Sequence, residues 1–297
     1  MQRILVLTAI LGLLSAACAD ARSGSLGPVG DATPPPTGGP SPTSAPPGTP
    51  SPEPDGQTMT FEVWFAHGDG PWLFVTRRTE PFDPGIGAAS LRALFAGPTD
   101  AEHAAGVSTA VPEGTELLGL TISDGVATAD LSGRYAAGGG STSMFVRLAQ
   151  LTYTLTQFGT VDGVLFTLEG EPIDGAFSSE GIVVDRPMTR EDFADLLPPI
   201  LVESPVVGQA VTSPITVSGT ADVFEATVSI SVLDASGAEI VRTFTTATCG
   251  TGCRGGYSEA VRFRVDRTQP GTVRVYESSA ETGEPINVVE IPITLVA

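Results

Sequence analysis

Apolar periodicity along the chain predicts an α+β segment, a small antiparallel sheet with two helices, followed by an all-β sandwich, with a disordered amino-terminal stalk ahead of both. Three observations carry this expectation. Two helical stripes are set among short alternating strands between about residues 58 and 198. From 199 to 297 short strands and turns recur with no long helical period. Before residue 58 neither pattern appears. At roughly 150 residues per domain, a chain of 297 residues has room for two folded segments, each with a core of its own.

The first 17 residues read as an address. Met1-Gln2-Arg3 supplies one positive charge, Ile4 to Leu14 is nearly all apolar, and small residues follow at Ser15-Ala16-Ala17. That apolar run is too short to cross a hydrocarbon core of roughly 30 Å, which needs about twenty residues. A charged start, a short apolar core and a small-residue cleavage site describe a secretory signal peptide. Cys18 directly after it resembles the lipobox of bacterial lipoproteins, with Ser15 standing where Leu is commonest. The resemblance implies an acylated Cys18 as the first mature residue, and an extracytoplasmic protein lipid-anchored to the outer face of the cell membrane. An ordinary cleaved signal peptide with a chance cysteine is the alternative.

Residues 18–57 are Pro, Gly, Ser, Thr and Ala with little else, including eleven prolines between Pro28 and Pro54 and no aromatic. Such a segment buries too little apolar area to offset its ordering entropy, so it is expected to remain unfolded. Proline favours extended chain at about 3.1 Å per residue, a semi-rigid stalk with a reach on the order of 100 Å.

Composition limits the partners. The formal charge is −19, from 15 basic residues, every one of them Arg, against 34 acidic ones. A chain this acidic offers no footprint for nucleic acid and is repelled by anionic headgroups, so membrane contact must come from an apolar or covalent anchor.

In the segment from 58 to 198, Thr60 to Phe65 alternates as a strand and Trp72 to Thr76 reads as a second, with Gly68-Asp69-Gly70-Pro71 as the turn. Asp83-Pro84 is expected to open a helix that Gly97-Pro98 stops. Leu117 to Ile122 and Val126 to Leu131 flank Asp124-Gly125, whose tolerance of positive φ marks a hairpin. Met144, Leu148, Leu151, Leu155 and Phe158 then form the apolar stripe of a helix from about Ser143 to Phe158, and Val164 to Leu168 is the last strand. Thr189-Arg190-Glu191-Asp192 opens a short connecting helix in the capping-box pattern, ended by Pro198-Pro199.

Four patches stand in order here: Leu94-Phe95-Ala96-Gly97-Pro98-Thr99, Val111-Pro112-Glu113-Gly114-Thr115, Asp124 to Ser132, and Leu151 to Phe158. Together they resemble the sporulation and spore germination domain, GerMN, over residues of about 60 to 170. The resemblance implies a small α+β domain related to ring-building motifs of envelope complexes, without a known catalytic residue. Each patch also has a structural explanation, as helix stop, turn, hairpin or core helix, so none is carried over as a functional site.

In the last segment, strands are expected at Ile215–Ser218, Ala226–Leu233, Glu239–Thr245, Tyr257–Val265, Thr272–Glu277 and Asn287–Leu295, separated by Ser236-Gly237, Gln269-Pro270-Gly271 and Thr282-Gly283. About seven short strands in about 99 residues argue for a β-sandwich of immunoglobulin type. Glu203-Ser204-Pro205 and the run from Ser218 to Val228 resemble the immunoglobulin-like domain of bacterial spore germination, commonly coupled to a GerMN domain in one lipoprotein. Phe224 and Glu225 within that run read as core residue and turn carboxylate, or else as the edge of a binding face.

Cys249 and Cys253 share a glycine-rich loop. In an exported chain with Cys18 lipidated, they are left to pair with each other. So short a bridge is expected to contribute well under the typical ~2–4 kcal/mol and to fix one loop. Zinc would need further ligands, and neither His67 nor His103 lies in this segment; no metal and no cofactor are expected. No nucleophile elbow, P-loop, dinucleotide fingerprint or calcium loop is present. The carboxylates at Asp69, Asp83 and Asp100 fall in loops and caps, where backbone geometry favours Asp.

The expectation is therefore a non-enzymatic, lipid-anchored envelope protein presenting two interaction domains as a scaffold or assembly factor for other envelope proteins. Recognition of a cell-wall polymer or small ligand is the alternative, and a hydrolase ranks third.

Overall fold

A computed structural model describes residues 56–68, 70–173, 177 and 181–297. The expected signal peptide, the acylated Cys18, most of the stalk and Asp69 lie outside the described residues.

The chain opens on an antiparallel hairpin of β1 (Thr58–His67) and β2 (Trp72–Pro81), paired throughout from Thr58 opposite Pro81 to His67 opposite Trp72. Helix α1 (Ile86–Ala96) starts later than expected. Asp83 does not cap it; its Oδ1 accepts from the Gly85 N–H at 2.7 Å and closes a turn that leaves Gly85 as the N-cap. The stop falls at Gly97, whose φ of 83° and ψ of 179° lie in an extended region that essentially only glycine adopts. A second short helix, α2 (Asp100–Ala104), was not expected. Thr99 and Glu102 form its capping box, Glu102 N–H donating to Thr99 Oγ1 and Glu102 Oε2 accepting from Thr99 N–H.

After α2 comes the two-residue β3 (Val107–Ser108), which pairs with β1 only at Ala66 and His67. The rest of that β1 edge is satisfied by helix α3 (Ser141–Leu155) and the residues just beyond it. Gln157 Oε1 accepts from the Glu62 N–H, Thr154 Oγ1 from the Trp64 N–H, and Gln150 Nε2 donates to the Trp64 carbonyl. These side chains recur at helical spacing and replace a missing neighbour strand, which keeps buried backbone groups paired. They also explain why α3 is buried nearly all round rather than along one stripe, with Arg147, Gln150, Thr152 and Thr154 inside beside Met144, Leu148, Leu151 and Leu155.

The sheet expected to be single and antiparallel is two sheets. One has the order β2-β1-β3. The other has the order β4-β5-β6-β7, from β4 (Leu117–Ser123), β5 (Val126–Leu131), β6 (Gly163–Leu168) and β7 (Glu171–Pro172). Within it β5 and β6 run parallel, because α3 forms the crossover between them and a parallel pair requires such a connection. The α+β class stands.

A 3₁₀ helix at Arg190–Leu196 leads into an all-β segment of eight strands. β8 (Ile200–Ser204), β10 (Ile215–Ala221) and β13 (Gly255–Val261) form one sheet. β9 (Ala210–Val211), β11 (Thr227–Leu233), β12 (Glu239–Thr246), β14 (Gln269–Ser278) and β15 (Pro285–Leu295) form the other, in the order β12-β11-β14-β15-β9. Val217, Val228, Ile230, Val232, Val273 and Ile291 fill the space between them. Gln269-Pro270-Gly271 proves to be the start of β14 rather than a turn, since proline is tolerated at a strand's first positions. The buried apolar residues of both segments form one connected cluster.

Candidate functional site at the seam of the two segments

His67 Nε2 meets the Ala105 carbonyl at 3.0 Å and its ring stacks on Phe74; His103 stands exposed in the last turn of α2. Among the described residues no three His, Cys, Asp or Glu side chains gather as a metal site. Chemistry-bearing side chains concentrate instead where the first segment meets the second.

Arg190 is central there. The strand-loop-helix path lays its guanidinium over the rings of Tyr153, at 4.7 Å, and Trp64, at 5.3 Å. Nε donates to Thr156 Oγ1 and Nη2 to the Tyr153 carbonyl, while the Tyr153 hydroxyl donates back to the Arg190 carbonyl. Burial pushes the Tyr153 phenol up. From the all-β side, Arg254 donates to the carbonyls of Pro198, at 2.6 Å, Leu197 and Thr220. Burial pulls its guanidinium below the ordinary value. Two arginines thus fasten the connecting segment, one on each side.

Beside Arg190 opens a polar groove of about 550 Å³, lined among others by Thr60, Glu62, Arg77, Gln157 and Glu203. Glu62 faces Arg77 at 3.6 Å. Glu203, from β8, has no hydrogen-bond partner among the described residues, and burial followed by the Glu62 carboxylate pushes its carboxyl up. The groove therefore sets arginine and glutamate charges against each other across the seam. It holds no hydrogen-bonded nucleophile and base.

An apolar pocket of about 190 Å³ is lined by His67, Trp72 and Phe74 from the first segment and Pro199, Asn287 and Val288 from the second. Next to it is the loop that holds Cys249 and Cys253, which stand as a disulfide with Cα atoms 5.7 Å apart. This loop packs on residues 223–226: the Thr251 N–H donates to the Val223 carbonyl, and the Glu225 N–H to Thr251 Oγ1. Glu225 and Ala226 are consecutive non-glycine residues at φ 55° and 56°, a conformation costing about 1–2 kcal/mol per residue. The neighbouring loop fixes them, and a Cβ at Gly250 would overlap the Ala226 backbone. Phe224, read as core or else as the edge of a binding face, is half exposed and so not core. Its N–H donates to Glu277 Oε1, and the other oxygen of that buried carboxylate accepts from Asn287 Nδ2.

Sequence reading missed Arg190, Glu203, Arg254 and Glu277, because each acts across segments distant in the chain. The isolated Asn287, the chain's one asparagine, was visible and unexplained; it adopts φ 51°, which asparagine tolerates better than most residues.

Residues 63–174 match the family described as sporulation and spore germination, and residues 199–284 match the immunoglobulin-like domain of bacterial spore germination. No curated protein matches the chain. Among solved structures, the tandem GerMN domains of the sporulation protein GerM from Bacillus subtilis are similar at 15% identity and a TM-score of 0.41, covering 80% of this chain and 61% of that one. The chain thus spans less than two thirds of that structure. The first GerMN domain of the same protein is similar at 22% identity and a TM-score of 0.37, covering 45% of this chain and 99% of that one. At TM-scores below 0.5 neither adds weight to the family matches.

Proposed function

We propose that this chain, which carries a sporulation and spore germination domain followed by the immunoglobulin-like domain of bacterial spore germination, is a non-enzymatic scaffold or assembly factor of the cell envelope. In this reading Cys18 is acylated and anchors the protein outside the cytoplasmic membrane. Residues 18–57 act as the stalk, and residues 58–198 and 199–297 are the two domains presented to partners. The disulfide of Cys249 and Cys253 suits that oxidising compartment. No helix among the described residues is long and apolar enough to cross a membrane.

The observation that carries the reading is the pairing of the two families in one chain, joined by Arg190 and Arg254 through dedicated hydrogen bonds. A scaffold gains from such a joint, because partners bound to the two domains are then held in one geometry. Crosslinking in intact cells followed by pull-down is expected to recover envelope proteins. Protein that sediments with cell wall and recovers no protein partner sinks the scaffold and favours polymer or small-ligand binding, for which the polar groove with its unpartnered Glu203 is the natural place. Mass spectrometry of the mature amino terminus tests the anchor, and an unmodified Cys18 or cleavage elsewhere removes it.

A further inference from the structure

Single exposed apolar side chains are ordinary on a protein surface; contiguous ones mark binding. Nine large apolar side chains are exposed among the described residues, and four of them are linked to the apolar pocket: Trp72 at 38% and Val288 at 45% line it, Ile286 at 42% stands two residues before Val288 on β15, and Phe224 at 50% is tied to it through its backbone. Contiguity follows from the bonds. Trp72 and Val288 line the pocket together with Asn287, and Glu277 ties the Asn287 side chain to the Phe224 backbone.

We propose that this patch is a docking site for an extended segment of another protein, one that inserts a single bulky apolar side chain flanked by Lys or Arg. The proposal rests on the scaffold reading and names the class of partner. Size argues for one side chain. The pocket of about 190 Å³ holds the volume of about six waters at ~30 Å³ each, a phenyl-sized space. Charge argues for the flanking bases. Glu225 follows Phe224 directly, Glu281 and Glu284 stand exposed in the turn that leads to Ile286, and none of the three stands in an ion pair among the described residues. Arg254 spends its guanidinium on the carbonyls of Leu197, Pro198 and Thr220, and Asp222 receives the Gly252 N–H. A second copy of this chain, with its own formal charge of −19, is opposed by the same field.

The patch is also preorganised. Phe224 is displayed by two left-handed residues, by the Cys249–Cys253 loop and by the buried Glu277, and Val288 follows the left-handed Asn287. A partner meets a surface already in its binding form and bears little ordering cost there.

The test uses the full chain and three labelled, end-blocked peptides of Gly and Ser with a central Lys-Phe-Lys, Lys-Ala-Lys or Glu-Phe-Glu, titrated by fluorescence anisotropy. The Lys-Phe-Lys peptide is expected to bind ~10-fold or more tightly than either other, since a buried aromatic anchor dominates such contacts. Phe224→Ser and Trp72→Ala are each expected to weaken it ~5-fold or more, and Leu118→Ser, an exposed position on β4, to leave it unchanged. Circular dichroism checks that each variant is folded. Equal binding of Lys-Phe-Lys and Lys-Ala-Lys overturns the proposal, as does preference for Glu-Phe-Glu or wild-type affinity in both patch variants. A dimer in analytical ultracentrifugation that Phe224→Ser dissolves assigns the patch to a second copy and overturns it likewise. Peptide binding needs no cellular partner, so its failure leaves the crosslinking result standing, and failed crosslinking leaves the peptide result standing.

Discussion

Replacing Arg78 by Met tests how the first domain tolerates charge in its interior. Glu102 caps α2 from a nearly sealed position, with its side chain 4% exposed against 18% for Arg78. Arg78 grips it with both nitrogens, Nη1 to Oε1 and Nη2 to Oε2, each at 2.7 Å. Thr76 Oγ1 and the Thr99 N–H also donate to it. Burial works against the charge, but the hydrogen bonds from Arg78, Thr76 and Thr99 outweigh burial and hold the carboxyl below its ordinary value of 4.5. Each charge-assisted bond is worth about 1.5–3 kcal/mol, and stripping one partner from a buried pair costs about 3–5 kcal/mol because the other charge is left uncompensated. Arg78→Met is therefore expected to lose about 3–5 kcal/mol at pH 7, or on the order of 10 °C in Tm at roughly 2–4 °C per kcal/mol for a body of this size. The sign of its pH dependence is also fixed. In the wild type the depressed carboxyl contributes stability above 4.5, lost only as pH falls through its lower folded value. In the variant only the hydrogen bonds from Thr76 and Thr99 still oppose burial, so the carboxyl stands above its wild-type position and the gap narrows as pH falls through it. Urea unfolding followed by tryptophan fluorescence at pH 7 and pH 4 measures both effects. A loss under about 1 kcal/mol, or a gap that stays the same at the two pH values, refutes the reasoning.

Three further outcomes are expected. Arg190→Ala removes the stacking on Tyr153 and Trp64 and two hydrogen bonds, and should cost about 2–3 kcal/mol with a red shift of Trp64 emission; an unchanged spectrum speaks against the joint. Glu203→Gln should raise Tm at neutral pH and leave it unchanged well below pH 4, because burial and Glu62 raise the Glu203 carboxyl and its ionised form costs stability as pH rises; a loss at neutral pH would point to a bond this carboxylate is not seen to make. Gly219→Ala should destabilise by about 2–3 kcal/mol, since its Cβ would overlap the Leu201 carbonyl at the bulge between β8 and β10, whereas Gly237→Ala meets only open space and bears just the cost of its φ of 82°.

Local pattern was enough for most elements. The six strands expected in the all-β segment form within a few residues of their expected ends, because alternation and turn chemistry are short-range properties, whereas β8 and β9 were not expected. The hairpin at Asp124-Gly125 forms, with both residues at positive φ. The start of α1 was misplaced because Asp83-Pro84 suits a turn and a helix start equally, and only the bond from Gly85 decides between them. The stripe on α3 was legible, but the second, polar register of Gln150, Thr154 and Gln157 has no meaning until β1 lies against it. Gly219 belonged to the most specific run of the immunoglobulin-like resemblance, and its reason, close approach to Leu201, is a tertiary fact.

By itself, then, the sequence determined most of the elements, though not α2, β3, β7, β8 or β9, together with the α+β and all-β classes, the acidic composition and the two cysteines set to pair. Tertiary structure alone decided that β5 and β6 run parallel around α3, that Arg190 and Arg254 fasten the seam, and that Phe224 is half exposed. Periodicity and turn propensity act over a few residues and are written locally. The seam joins residues such as Tyr153 and Arg190, or Leu197 and Arg254, whose meeting depends on the path of the whole chain between them.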